Sequence, residues 1–253
     1  MASWPSNPSS GPGTLPRGWP SYTFWQWTDS TIQPSPTGTQ TVDGDVLSTS
    51  LSLSSVATTV TRPTSFADVP SSYPFSTEIT WLASAGISTG WATPQGRNFQ
   101  PQTPIARDAM AAFLYRFAGS PAYTPPTTSP FSDVPTSYPF YTQIAWLAAT
   151  GITTGYGDGT FHPGDPVNRD AMAAFLYRFA GSPAYTPPTT PRFSDVPTSY
   201  PFSTQIAWLA ATGITTGYGD GTFQPGSAVN RDAMAAFLYR YHQDGLPTSP
   251  VVH

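Results

Sequence analysis

FSDVPTSYPFYTQIAWLAATGITTGYGDGTFHPGDPVNRDAMAAFLYR, residues 131–178, returns as residues 193–240, a period of 62 from Phe131 to Phe193. Only four positions differ between the two copies: Tyr141/Ser203, His162/Gln224, Asp165/Ser227 and Pro166/Ala228. Near-identity at a fixed period marks a repeat architecture. A more diverged copy starts at Phe66. Its Trp81, Gly86, Phe99 and Arg107 fall in register with Trp146, Gly151, Phe161 and Arg169, and it holds three extra residues in the Trp91–Asn98 loop. The linkers are duplicated as well, since Gly119–Thr128 and Gly181–Thr190 both read GSPAYTPPTT, a semi-rigid extended composition.

Each repeat reads as helix, tight loop, helix. In the middle copy, Phe131–Pro135 reads as a short extended segment and Pro139 suits the first position of a helix. Ile144, Leu147, Ala148 and Gly151 lie at helical spacing on one face, and Gly151 is placed to close that helix in the left-handed conformation. The glycines of Ile152–Phe161 make a compact loop. Asn168 suits an N-cap, and Met172, Phe175, Leu176 and Phe179 form the stripe of the second helix, which Gly181 and Pro183 end. A two-helix unit of this size buries its own face poorly. Three helical hairpins sharing a core, with pseudo-threefold symmetry and clefts between neighbours, solve that problem. The expected fold is therefore mainly α. A short N-terminal segment (1–62) containing a strand precedes repeats at 63–123, 124–185 and 186–245, and a tail follows at 246–253.

Composition narrows the function. The 253 residues hold ten Arg and no Lys, thirteen Asp and one Glu, Glu78, for a net charge of −4. So few cations argue against a nucleic-acid partner. The absence of Cys excludes a thiolate metal site or nucleophile. The three histidines are scattered and the Gly-Asp-Gly loops lack the spaced carboxylates of a calcium loop, so no metal or cofactor is expected. No apolar run reaches membrane-spanning length. Residues 1–18 lack the basic and apolar regions of a secretory signal.

Arg107, Arg169 and Arg231 stand at matching helix starts. A cation there opposes the helix dipole. Helix-start N–H groups together with a guanidinium fork suit a carboxylate ligand. An ion pair with Asp170 or with a loop carboxylate such as Asp158 is the competing reading. Trp81, Trp146 and Trp208 are expected to pack between repeats. Tyr156 and Tyr218 stand in the loops. Asp133 and Asp195 are expected to hold their own turns.

The F-x-D-V opening, the Ile-x-x-Leu helix, Gly-Ile, the Gly-Tyr-x-Asp-Gly-x-Phe-x-Pro loop and the Val/Ile-x-Arg helix start resemble the S-layer homology (SLH) domain over residues 66–241. The resemblance implies an extracellular module anchored non-covalently to the bacterial cell wall. Its partner would be an anionic secondary wall glycopolymer, in some cases pyruvylated, bound in grooves between repeats. Arg107, Arg169, Arg231, Gly155, Tyr156, Gly217, Tyr218 and Trp91 would be the glycan-binding residues. The family's helix start usually reads Ile-Thr-Arg-Ala-Glu. Here Ala109, Ala171 and Ala233 replace the Glu, and Asp108, Asp170 and Asp232 precede them. In the first repeat Trp91 stands for the loop Tyr and Ala106 for the cap.

Leu15–Leu53, with its Phe24-Trp25-Gln26-Trp27 run and Val42-Asp43, is similar to the C-terminal end of family-25 glycoside hydrolases, the lysozyme-like muramidases. Such enzymes need paired acidic residues, and a (β/α)₈ barrel needs roughly 200 residues. The chain offers neither, so no catalytic residue is expected. The expectation is a wall anchor carrying a muramidase remnant, from a truncated product or fragment. A self-assembling surface-layer subunit, forming homo-oligomers through exposed aromatics, is the alternative.

Overall fold

The computed structural model describes residues 65–250 and the backbone of four short strands between residues 24 and 47. The chain divides into two compact units, Met1–Thr61 and Arg62–His253. In the first, β1 (Phe24–Gln26) pairs antiparallel with β4 (Asp45–Leu47), Phe24 opposite Leu47. Strand β2 (Ile32–Ser35) pairs with β3 (Gly38–Thr41). The strand expected at Tyr22–Trp27 is thus seen at its centre. The readings of residues 1–18 and of Leu15–Trp19 lie outside the described residues.

The second unit is mainly helical, as expected. Its helices are α1 (Ser76–Ser84), α2 (Arg107–Phe117), α3 (Tyr141–Ala149), α4 (Arg169–Phe179), α5 (Ser203–Ala211) and α6 (Arg231–Gln243). The loop that holds the three extra residues of the first repeat folds as a hairpin of β5 (Trp91–Thr93) and β6 (Gly96–Asn98).

Several local expectations are corrected. Phe131–Val134 is a turn, closed by the Val134 N–H on the Phe131 carbonyl (3.3 Å), and is not extended. Successive turns at Tyr138 and Tyr141 then delay α3, so Pro139 lies just outside the helix rather than at its first position. Gly151 does adopt the left-handed conformation after α3 (φ 69°). Met172, Phe175, Leu176 and Phe179 are buried, as are Ile144 and Leu147.

The two helices of one repeat do not form the packed pair, contrary to the hairpin expectation. Helix α2 packs on α3, α4 on α5, and α6 returns to α1. Each second helix therefore pairs with the first helix of the next repeat, and the last pairs with the first. The proline-rich linkers join the helices of the first two such pairs. Tyr123 and Tyr185, inside them, donate to the carbonyls of Ala145 and Ala207 (3.2 and 3.3 Å) and tie each linker to the helix that follows. Trp146 meets Tyr115 edge-on, Trp208 meets Tyr177 and Trp81 meets Tyr239, at centroid separations of 5.2–5.5 Å. The tryptophans therefore pack between repeats, as expected, because a large aromatic fills the seam at little entropic cost.

At its centre the ring closes through a cycle of backbone hydrogen bonds and a cluster of aromatic side chains. The Ile105 N–H donates to the Val229 carbonyl, Val229 to Val167, and Val167 to Ile105, at 2.8–2.9 Å. Phe117, Phe179 and Tyr241, equivalent residues of α2, α4 and α6, contact one another pairwise at 5.5–5.6 Å. One continuous apolar core runs through all three repeats.

Candidate functional site

The grooves begin with how each second helix starts. Its first N–H groups are orphans that need acceptors. The Arg107 N–H donates to the Asp165 carbonyl (3.0 Å) and the Asp108 N–H to the Pro163 carbonyl (3.0 Å). The Ala109 N–H donates to Asp108 Oδ1 (2.5 Å). Repeats two and three repeat the scheme, and α6 takes its acceptors, Thr103 and Pro101, from the first repeat. The neighbouring loop is thus the cap. Ala106, Asn168 and Asn230 make no side-chain cap bond, although Asn168 stands at the expected N-cap position. The expectation that free helix-start N–H groups help hold an anion is corrected, because these groups are already spent on the neighbouring repeat.

The Asp that follows each Arg has two uses. Its Oδ1 takes the helix N–H. Its Oδ2 accepts the hydroxyl of a tyrosine in the next repeat: Tyr138 to Asp108, Tyr200 to Asp170 and Tyr73 to Asp232, at 2.6–2.7 Å. Burial and then this hydrogen bond push Tyr138 and Tyr200 up to about 12. Asp133 and Asp195 do not hold their own turns. Asp133 accepts the N–H groups of Phe161 and His162 (2.8 and 2.7 Å), Asp195 those of Phe223 and Gln224, and Asp68 those of Phe99 and Gln100. Each carboxylate clamps the far end of its glycine loop.

Into that clamped loop goes an arginine from the preceding repeat. Arg107, Arg169 and Arg231 are 6, 8 and 4% exposed. Arg107 Nε donates to the Phe161 carbonyl, Arg169 Nε to Phe223 and Arg231 Nε to Phe99, at 2.7–2.8 Å. Each guanidinium lies over three rings. For Arg107 these are Tyr156, Phe161 and Phe175, for Arg169 Tyr218, Phe223 and Phe237, and for Arg231 Trp91, Phe99 and Phe113, at 4.3–5.6 Å. Desolvation lowers all three arginines, Arg231 to about 10. The ion-pair reading fails on geometry. Among the described residues the ion pair present is His162–Asp165 (3.1 Å), and no carboxylate lies within 4.0 Å of these guanidiniums. Asp158 instead accepts from Thr160.

Grooves open beside the Arg169 and Arg231 guanidiniums. The third-repeat groove measures about 370 Å³ and is lined by Thr215–Tyr218 of the loop and by Ala233, Phe237 and Arg240 of α6. Arg169 enters it from the second repeat and Phe75 from the first. The first-repeat groove, about 160 Å³, follows the same plan with Ser88–Trp91, Phe113 and Arg116, plus Arg231 from the third repeat and Phe140 from the second. Both grooves are built from three repeats.

Trp91, Tyr156 and Tyr218 are the large hydrophobic residues left exposed among those described, at 44–46%. The structure brings each together with its buried arginine. Gly155 and Gly217 serve the loop itself: a Cβ would lie 2.3–2.4 Å from the Phe131 or Phe193 ring. Sequence reasoning missed Arg116, Arg178 and Arg240. Their recurrence nine residues after the motif arginines was the available signal. It also missed Phe140, which lines the first-repeat groove from the next repeat, and Phe75, which reaches the third-repeat groove through ring closure.

Three stacked repeats, joined by backbone and by arginines inserted into neighbouring loops and opening cationic, aromatic-edged grooves, define a surface-binding helical repeat module. The chain belongs to the S-layer homology domain family, whose model matches residues 65–111, 130–173 and 192–235, just over half of its length. It is similar to a cell surface protein of Thermoanaerobacter kivui, 33% identical over 116 residues. It is also similar to cell surface glycoprotein 1 (28% over 162 residues) and a cellulosome-anchoring protein (25% over 155 residues), both of Acetivibrio thermocellus. These alignments cover 45, 60 and 59% of the chain but 15, 7 and 34% of the relatives, so the chain spans a minor part of their length. The family and these relatives place the chain at the cell surface. Among the described residues no helix is long and apolar enough to cross a membrane, and no cluster of His, Asp or Glu is placed to hold a metal.

Proposed function

We propose that the chain is a cell-wall anchor that binds an acidic wall glycopolymer, pyruvylated sugars among the candidates, in the inter-repeat grooves. The carrying observation is a set of buried guanidiniums, each with an exposed aromatic ring at its side and no carboxylate partner. A buried cation without a counter-charge is costly, and a bound carboxylate offsets that cost. The outer face of Trp91 or Tyr218 supplies the stacking surface a sugar ring takes, while His162 stacks on Tyr156 in the second repeat. The family and the anchoring and cell-surface names of the relatives support the same reading. Anchoring needs no catalytic group, and none is assigned. The likeness of Leu15–Leu53 to a muramidase tail rests on its aromatic run, and the family match begins beyond it, at residue 65.

The test is co-sedimentation with sacculi of the producing cells, before and after removal of the wall glycopolymer. Binding should be lost with the polymer. Equal binding to the stripped peptidoglycan would overturn the proposal.

A further inference from the structure

Six of the ten arginines recur in the repeats at two equivalent positions, Arg107/Arg169/Arg231 and Arg116/Arg178/Arg240. The second set lies in the last turns of α2, α4 and α6, half-buried. Its arginines are held facing the loop, since Arg116 Nη1 donates to the Ile87 carbonyl, Arg178 to Ile152 and Arg240 to Ile214, at 3.2–3.3 Å. Arg116 shares the walls of the first-repeat groove with Arg231, and Arg240 shares those of the third-repeat groove with Arg169. A guanidinium has five N–H donors, and this single bond leaves most of them uncommitted. No carboxylate lies within 4.0 Å of either set among the described residues. A cation in a helix's last turn is favourable by itself. That effect accounts for a charge at this position, but not for its fixing to the loop across the groove from a second bare guanidinium.

We infer that each groove grips its acidic sugar with two guanidiniums from different repeats, the buried one and the one on its own helix. Arg116, Arg178 and Arg240 are then ligand-contacting residues. This rests on the anchoring proposal above. The chemistry selected is a sugar whose carboxylate is flanked by further oxygen acceptors, as in a uronic acid or a carboxylate ketal, because two forks present more donors than one carboxylate can use. The buried arginine binds at the aromatic wall and the second at the open edge.

The test uses the full chain and the unstripped sacculi. Three variants are compared with it: Arg116→Gln/Arg178→Gln/Arg240→Gln, the matching triple Lys variant, and Arg192→Gln as a remote single-charge control. Fold is checked by thermal melting. The Gln triple should lose at least tenfold in affinity. The Lys triple should recover part of it, because charge returns without the fork, and Arg192→Gln should bind like the parent. A Gln triple that melts lower yet binds as tightly as the parent would show that these arginines only favour their helix ends, and would overturn the inference while leaving the anchor intact. A parent chain that fails to sediment with the sacculi would instead overturn the anchoring proposal and this inference with it.

Discussion

The first and third repeats build one site from different parts. The third uses a short glycine loop with Tyr218. The first uses a β-hairpin with Trp91 and three extra residues, and its groove is less than half as large. Yet the core of the joint is the same in both: 2.7 and 2.8 Å from Nε to the phenylalanine carbonyl, and 4.6 Å from the same ring, with Arg231 also donating from Nη2 to Ser88 Oγ (3.4 Å). What the ring holds constant is the inter-repeat joint. The outer lip varies around it.

The sharpest way to break this comparison is to open the ring. Removing the third repeat strips α1 of its partner α6 and the first groove of Arg231. An open stack would lose one repeat's share of stability. A closed ring should lose its cooperative melt altogether, as read by circular dichroism.

Arg169→Met keeps the stem and removes the joint. It leaves the Phe223 carbonyl without its donor, and the expected cost is about 2–3 kcal/mol by chemical denaturation. Arg231→Met should cost a similar amount despite the different loop. A much smaller effect in the first repeat would show that the hairpin carries its own stability.

Gly217→Ala places a methyl 2.3 Å from the Phe193 ring at a left-handed position, whereas at Gly219 nothing lies within 4 Å. Overpacking should cost about 1–3 kcal/mol in the first case and within about 0.5 kcal/mol in the second.

Tyr200→Phe removes one inter-repeat hydrogen bond and should cost about 1 kcal/mol at neutral pH. Tyr200 titrates at about 12 in the fold, above its usual 10. The native state therefore holds the proton longer than the unfolded chain. The stability this gives is complete below pH 10 and fades as pH rises from 10 to about 12. The Phe variant should show a shallower decline over that interval.

The smallest effect separates the two nearly identical repeats. His162 stacks on Tyr156 at 4.5 Å and pairs with Asp165, while Gln224 and Ser227 take these places in the third repeat. His162→Gln should change stability by less than about 0.5 kcal/mol, since an exposed ion pair contributes little.

Much of this was legible. Ile144, Leu147, Met172 and Phe175 announce their helices by spacing, and Gly151 announces where one ends. The motif arginines stand out because a cation at a helix start is unfavourable. The pairing of each second helix with the next repeat's first helix was not legible, because helical periodicity tells which face is buried but not by which helix. The Asp133 clamp was missed for a related reason: its acceptors serve N–H groups at Phe161 and His162, far along the chain.

By itself the sequence determined three equivalent units, their helices and the positions of the arginines, since these follow from local spacing and from repetition. Only the tertiary structure decided that each arginine enters the next repeat's loop, that the neighbour's backbone caps each helix, and that the first- and third-repeat grooves draw on all three repeats. These are consequences of closing the ring, and closure depends on contacts between residues more than a hundred positions apart, such as Arg231 with Phe99, which no local pattern encodes.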